Sequence, residues 1–284
     1  MKTNKVILFL SLIFLNCGIS FPLWGDIEDL YSIADLKPIV QRKMKEYMIA
    51  PDDTLLAVGL DRVIFHPTDL PFQVQNIYQH RQILRNITNE ISQEHKYLLY
   101  NFFTKKGPLE LIESATPEIL SDLQRNIKAI GLTAYLIGPI DGVENNEAWA
   151  AHTLKDQFKI DFSNAFEGVD DLELKEAPAY RGKLPRYYKG ILHANGRGEE
   201  GSKGQALSLL LKQIGYQPRL IFFMDDIKEH LTLVEEELKK YNPDTHFVGL
   251  NYRYREIGNR DKLIDAETFE RTWRNLAEEC RPKK

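Results

Sequence analysis

The sequence predicts an α/β fold built on a parallel sheet. Two observations carry this: short apolar runs recur along the chain, and helical patterns separate them. Thr54-Leu-Leu-Ala-Val-Gly-Leu60 follows the turn-like Pro51-Asp52-Asp53 and is apolar throughout, which fits a strand buried on both faces. Segment 66–115 is mixed and largely helical in pattern. Thr116-Pro117-Glu118 then opens a helix, with Thr116 as N-cap, Pro117 at the first helical position and an acid in the first turn. Leu120, Leu123 and Ile127 form its apolar stripe, and Ile127–Leu132 reads as the next strand, ending at Thr133. Residues 139–190 are richer in Gly, Pro, Asp and Glu and read as an irregular insertion with room for short strands. Lys203–Ile214 is a helix with Ala206, Leu207, Leu210, Leu211 and Ile214 inward and Gly215 at its C-terminus. Arg219–Met224 is the third strand and runs into Asp225-Asp226. Ile227, Leu231, Val234, Leu238 and Tyr241 mark a further helix, stopped by Asn242-Pro243. His246–Leu250 is the last strand, and Asp265–Ala277 a final helix.

Composition narrows the classes of function. The 284 residues carry 37 Lys+Arg against 41 Asp+Glu, a net charge of −4, with 43% hydrophobic residues. This excludes a disordered tail, a collagen and a disulfide scaffold. The mildly acidic balance argues against a nucleic-acid partner bound through a broad basic face. Residues 1–20 have a basic start at Lys2 and Lys5, an apolar run from Val6 to Leu15, and small residues Gly18 and Ser20 before Phe21. That is the architecture of a secretory signal peptide. The run is too short to span a bilayer, so no transmembrane helix is expected in the mature form. Cys17 offers a less favoured lipoprotein alternative, since Asn16 precedes it. The expected location is periplasmic or secreted. Cleavage would remove two lysines and no acids, leaving a net charge of −6 and Cys280 alone, so no intramolecular disulfide is possible. Asn86-Ile87-Thr88 is a formal glycosylation sequon.

In an open parallel sheet, ligands bind beyond the carboxyl ends of the strands. Four polar signals fall at such places: Asp61 after the first strand, Thr133 after the second, Lys203 at a helix start, and Asp225/Asp226 after the third. They offer carboxylates for a hard divalent cation, and a hydroxyl and an ammonium for a phosphate. Each alone is weak; their order makes the set specific.

The order resembles the haloacid dehalogenase-like (HAD) superfamily of phosphatases, and more narrowly a secreted bacterial HAD-like family of unknown function. The motifs that carry the resemblance are Gly59-Leu60-Asp61-Arg62-Val63, Leu132-Thr133-Ala134, Lys203-Gly204 and Phe223-Met224-Asp225-Asp226-Ile227, within about residues 26–255. It implies a three-layer Rossmann-like core over residues 21–65 and 116–284, a mainly helical cap inserted at 66–115 and a second insertion at 139–190. It also implies roles. Asp61 would be the general acid/base, Thr133 and Lys203 would grip phosphate, and Asp61, Asp225 and Asp226 would bind Mg²⁺. The superfamily's nucleophilic Asp, however, aligns with Gly59. Glycine has no side chain, so covalent catalysis is lost there, and Mg²⁺ affinity should be weakened. The resemblance thus implies a phosphatase-like scaffold that binds a phosphorylated small molecule or a protein partner. Two alternatives stand beside it: weak hydrolysis by a metal-bound water with Asp61 as base, and an envelope protein with a vestigial pocket.

Arg62 sets a fixed cation beside the pocket, where it could pair with Asp61, contact an anionic ligand or face solvent. Asp52 and Asp53 precede their strand and belong to the opposite end of the sheet. Asp141 and Glu144 are nearer replacements for the missing carboxylate, without supporting spacing. None of the histidines forms a zinc pattern; His66 could line the pocket, though a packed histidine is the plainer reading. The glycine-rich run 196–201 lacks a phosphate-loop pattern. The basic-aromatic group Arg181, Lys183, Arg186, Tyr187, Tyr188 and Lys189 suits a solvated hairpin face or, less simply, a ligand contact.

Overall fold

A computed structural model describes residues 26–140, 142–196, 202–254 and 262–281. The chain is an α/β protein. Its main sheet has eight strands in the order β1 (Asp26–Leu30), β10 (His246–Tyr252), β9 (Leu220–Asp225), β2 (Thr54–Val58), β5 (Lys128–Thr133), β8 (Ile191–His193), β7 (Arg186–Tyr188), β6 (Asp171–Glu173). From β1 to β8 neighbours run parallel; β7 and β6 continue antiparallel at one edge.

Side chains alternate across the sheet, and both faces are covered. Leu56, Val58, Phe222 and Val248 pack on one face with Leu36 and Val40 of α1 (Leu36–Tyr47) and Leu120 and Leu123 of α5 (Thr116–Gln124). Leu55, Ala57, Ile221 and Phe223 pack on the other with Leu207 and Leu210 of α7 (Ser202–Ile214) and Leu231 and Val234 of α8 (Lys228–Tyr241). This gives the three-layer arrangement expected from the apolar runs. One detail differs: Thr116 is the first residue of α5, not its cap. Ala115 holds the N-cap position, and the Thr116 hydroxyl donates to the Glu113 carbonyl at 2.7 Å.

Between β2 and β5 the chain forms a small antiparallel pair, β3 (Phe65–Pro67) and β4 (Leu109–Leu111), and helices α2 (Val74–Gln79), α3 (Arg81–Asn89) and α4 (Gln93–Phe102). These helices share a separate apolar cluster with the last helix, α9 (Ala266–Glu279). Trp273 of α9 is fully buried there. It sits against Phe72 and Phe103 at 5.3 and 5.4 Å between ring centroids, and its indole N–H donates to the Pro71 carbonyl at 3.0 Å. Within 139–190 lie α6 (Asn146–His152) and strands β6 and β7, so the short strands expected there are present. Arg186 and Lys189 pair with Asp171 and Asp170 on that hairpin.

His66 is a packed histidine. Its Nδ1 accepts from the Val74 N–H at 3.2 Å, and its Nε2 lies 3.3 Å from Glu110. Burial pushes its pKa down to about 4, against the pull of Glu110. The folded chain therefore refuses a proton that the unfolded chain accepts. Stability is intact above the ordinary histidine value and lost as pH falls towards 4, by about 3 kcal/mol. Thermal melts of wild type and His66→Gln between pH 7 and 4 should show that the variant has the shallower acid slope; equal slopes would refute this.

Candidate functional site

The pocket lies beyond the carboxyl ends of β2, β5 and β9. Its floor begins with a tight turn. The Gly59 N–H donates to the Met224 carbonyl at 2.8 Å, tying β2 to β9 one residue past the strand. The Leu60 carbonyl accepts from Ile64 N–H at 2.8 Å, and Arg62 N–H donates to the Phe65 carbonyl at 2.9 Å. Closing this turn puts Arg62 at φ 62°, a left-handed conformation that non-glycine residues rarely adopt. At Gly59 a Cβ would sit 2.9 Å from Val63 Cγ2, 3.2 Å from the Met224 carbonyl oxygen and 3.3 Å from Asp225 Oδ2. The turn is packed around the missing side chain.

Asp225 ends β9 and is 2% exposed. Lys203, in the first turn of α7, donates to its Oδ2 at 2.6 Å. Its Oδ1 accepts from the Ile227 N–H at 3.0 Å and faces His230 Nδ1, also at 3.0 Å. Burial pushes the Asp225 carboxyl up, but Lys203 and His230 outweigh it and hold the group below the usual carboxylate range. Arg62 lies between two other carboxylates: Nη1 is 3.4 Å from Asp226 Oδ2, and Nε 3.6 Å from Asp61 Oδ2. Burial works against the Arg62 charge; Asp226 and then Asp61 overcome it and raise its pKa. Of the three options the sequence left for Arg62, the structure takes the carboxylate pair and extends it to Asp226. Thr133 ends β5 and its Oγ1 accepts from the Tyr135 N–H at 3.2 Å.

Gly59, Asp61, Arg62, Thr133, Lys203, Asp225 and Asp226 all line one cavity of about 260 Å³. Residues 51–53 precede β2, as expected, at the far end of the sheet. Glu144 is exposed and His66 is packed away, and neither lines the cavity. Asp141, residues 197–201, and the leader with Cys17 lie outside the described residues.

Sequence reasoning missed the other wall. Helix α4 presents Tyr97, Tyr100 and Asn101 to the cavity. Asn101 fixes the helix to the core: its Oδ1 accepts from the Leu136 N–H at 2.8 Å and its Nδ2 donates to the Tyr97 carbonyl at 2.9 Å. Asn101→Ala leaves that Leu136 N–H buried and unpaired, and should lower urea stability by about 2 kcal/mol; a change below the error of the unfolding curve would contradict the clamp. Tyr135 is 3% exposed, and its hydroxyl has no hydrogen-bond partner among the described residues. Burial and the Asp61 charge hold its pKa well above the usual phenol value, so it stays protonated. Lys105 donates to the Asn101 carbonyl at 2.8 Å and lies over the Tyr135 and Trp149 rings at 4.7 and 4.1 Å. Burial pushes Lys105 down to about 7, with Asp61 opposing.

The donor set does not suit Mg²⁺. A hard cation needs several free carboxylate or carbonyl oxygens. Here both Asp225 oxygens are engaged, and Asp61 and Asp226 face a guanidinium. Among the described residues no group of three or more His, Cys, Asp and Glu is placed to hold a metal ion. Arg62 and Lys203 are the side-chain cations that face these acids.

The model of a protein family described as "Protein of unknown function (DUF2608)" matches residues 31–280. The chain belongs to the DUF2608 family. Similar members come from Rickettsia. An uncharacterised protein of Rickettsia bellii is 27% identical over 224 residues, covering 77% of this chain and 73% of the relative. One from Rickettsia felis is 28% identical, covering 71% and 68%. For this DUF2608 protein the match takes in every strand of the sheet except β1, the inserted helices and all of α9, and so all of the cavity. Among the described residues no helix is long and apolar enough to cross a membrane.

Proposed function

We propose that this DUF2608 protein is an exported, HAD-phosphatase-like protein that binds a phosphorylated small molecule and does not hydrolyse it. The observation that supports this best is the neutralisation of Asp225 by Lys203 and His230, next to a glycine where the superfamily has its nucleophile. No carboxylate stands at position 59 to attack phosphorus, and Asp225 is engaged on both oxygens. Phosphate binding draws on groups with donors to spare. Lys203 has ammonium protons beyond the one given to Asp225. Arg62 is only loosely paired, and its Nε has no hydrogen-bond partner among the described residues. A guanidinium with open donors is suited to phosphate oxygens. The Thr133 hydroxyl adds a donor at the end of β5. Export rests on the basic start and apolar run of residues 1–20.

The test is a thermal melt of the purified chain with inorganic phosphate, in EDTA and in Mg²⁺, beside a hydrolysis assay on an aryl phosphate. Ligand bound to the native state raises apparent stability. The expected result is a phosphate-dependent rise that EDTA leaves intact, with no turnover. Turnover that requires Mg²⁺ would overturn the reading and return Asp61 to a catalytic part.

A further inference from the structure

We infer that the cavity takes a small phosphomonoester whose alcohol portion is a planar aromatic ring. This rests on the phospho-ligand reading and adds the chemistry of the rest of the ligand. The phosphate-type groups occupy the floor, at the strand ends. The opposite wall is aromatic. Tyr97 and Tyr100 stand three residues apart on α4, on one helix face, and both line the cavity and are half-buried. The Tyr97 ring is held edge-on by Tyr180, at 5.5 Å between centroids and 86° between planes. Asn101, in the last turn of the same helix, ties this wall to the floor through Leu136. The helix that carries both rings is thereby anchored to the chain just after β5.

Charge arithmetic points the same way. On the floor Asp61, Asp225 and Asp226 stand against Arg62 and Lys203, with His230 beside Asp225 and Lys96 on the α4 wall, so the floor has no excess of positive charge to hold an anion alone. Affinity must come partly from the body of the ligand. A ring offset-stacked or edge-on against tyrosine gains more than an alkyl group of similar area. A cavity of about 260 Å³ is at the small end for ligand sites, which favours a single-ring ester over a dinucleotide or a peptide.

The experiment is calorimetric titration of the purified chain with phenyl phosphate, propyl phosphate and inorganic phosphate. Phenyl phosphate should bind of the order of tenfold more tightly than propyl phosphate. Tyr97→Leu/Tyr100→Leu should bring the two esters within about twofold, and Tyr97→Phe should keep the preference. Equal binding of all three probes to wild type would overturn the aromatic site and leave the phospho-ligand reading standing. Binding of none would overturn both. The wild-type comparison decides the matter even if the double variant fails to fold.

Discussion

Replacing Lys203 by methionine is expected to destabilise the protein by about 4 kcal/mol at neutral pH. Methionine keeps most of the aliphatic length of the side chain, so little packing is lost, though the ammonium 5.6 Å from the Phe223 ring centroid goes. What disappears is the ammonium 2.6 Å from a carboxylate that is 2% exposed. Asp225 cannot regain water there, and the Ile227 N–H and His230 Nδ1 are left as its direct partners. The loss is thus mainly the penalty of a buried, under-compensated charge, not the worth of a surface ion pair. Asp225→Asn placed in the same chain should restore much of the stability, because the penalty leaves with the charge. Acid should act similarly. Asp225 is held below the ordinary carboxylate range by Lys203 and His230, so the pair stabilises above that range and fades as pH falls through the folded value. The gap between wild type and Lys203→Met should therefore narrow in strong acid. Urea unfolding of wild type, the single variant and the double variant measures this; a single variant within 1 kcal/mol of wild type would mean that His230 and the Ile227 N–H suffice.

The sequence showed the strand ends clearly and the α4 wall not at all, for different physical reasons. Thr54–Val58 and Leu220–Met224 are buried on both faces, so they are apolar without interruption and end visibly where Asp61 and Asp225 begin. Strand β1 escaped because it is an edge strand with three acids, whose charges meet Arg42, Lys43 and Arg253; nothing local distinguishes it from a loop. The final helix was legible from Asp265, which does cap it by accepting from the Thr268 N–H. Its partner was not, since the docking of Trp273 on Phe72 and Phe103 joins segments about 170 to 200 residues apart. His230 was visible only as an isolated histidine. It reaches Asp225 because it lies in the first turn of the helix that starts directly beyond that carboxylate, a placement available once α8 was predicted. Tyr97, Tyr100 and Asn101 had no such signal, because only tertiary packing sets where α4 lies against β5.

Installing the absent carboxylate is the sharpest probe of that floor. Gly59→Asp places a Cβ 2.9 Å from Val63 Cγ2, so Val63 must give way. It also adds a buried negative charge beside Asp225, whose Oδ2 would be 3.3 Å from the new Cβ. Overpacking and like-charge burial together should cost about 4 kcal/mol in EDTA. The new side chain changes the donor set as well. Lys203 would have two carboxylates to satisfy, and one oxygen would be left over. Mg²⁺ should then raise the melting temperature of Gly59→Asp while leaving wild type unmoved, since a cation stabilises only the form that binds it. That contrast separates two accounts of position 59. If the floor is built around side-chain cations, restoring the acid creates a debt that a metal can settle, and wild type has none. A wild type that responds to Mg²⁺ as strongly as the variant would show that Asp225 releases Lys203 readily, and that glycine at 59 is no obstacle to a metal.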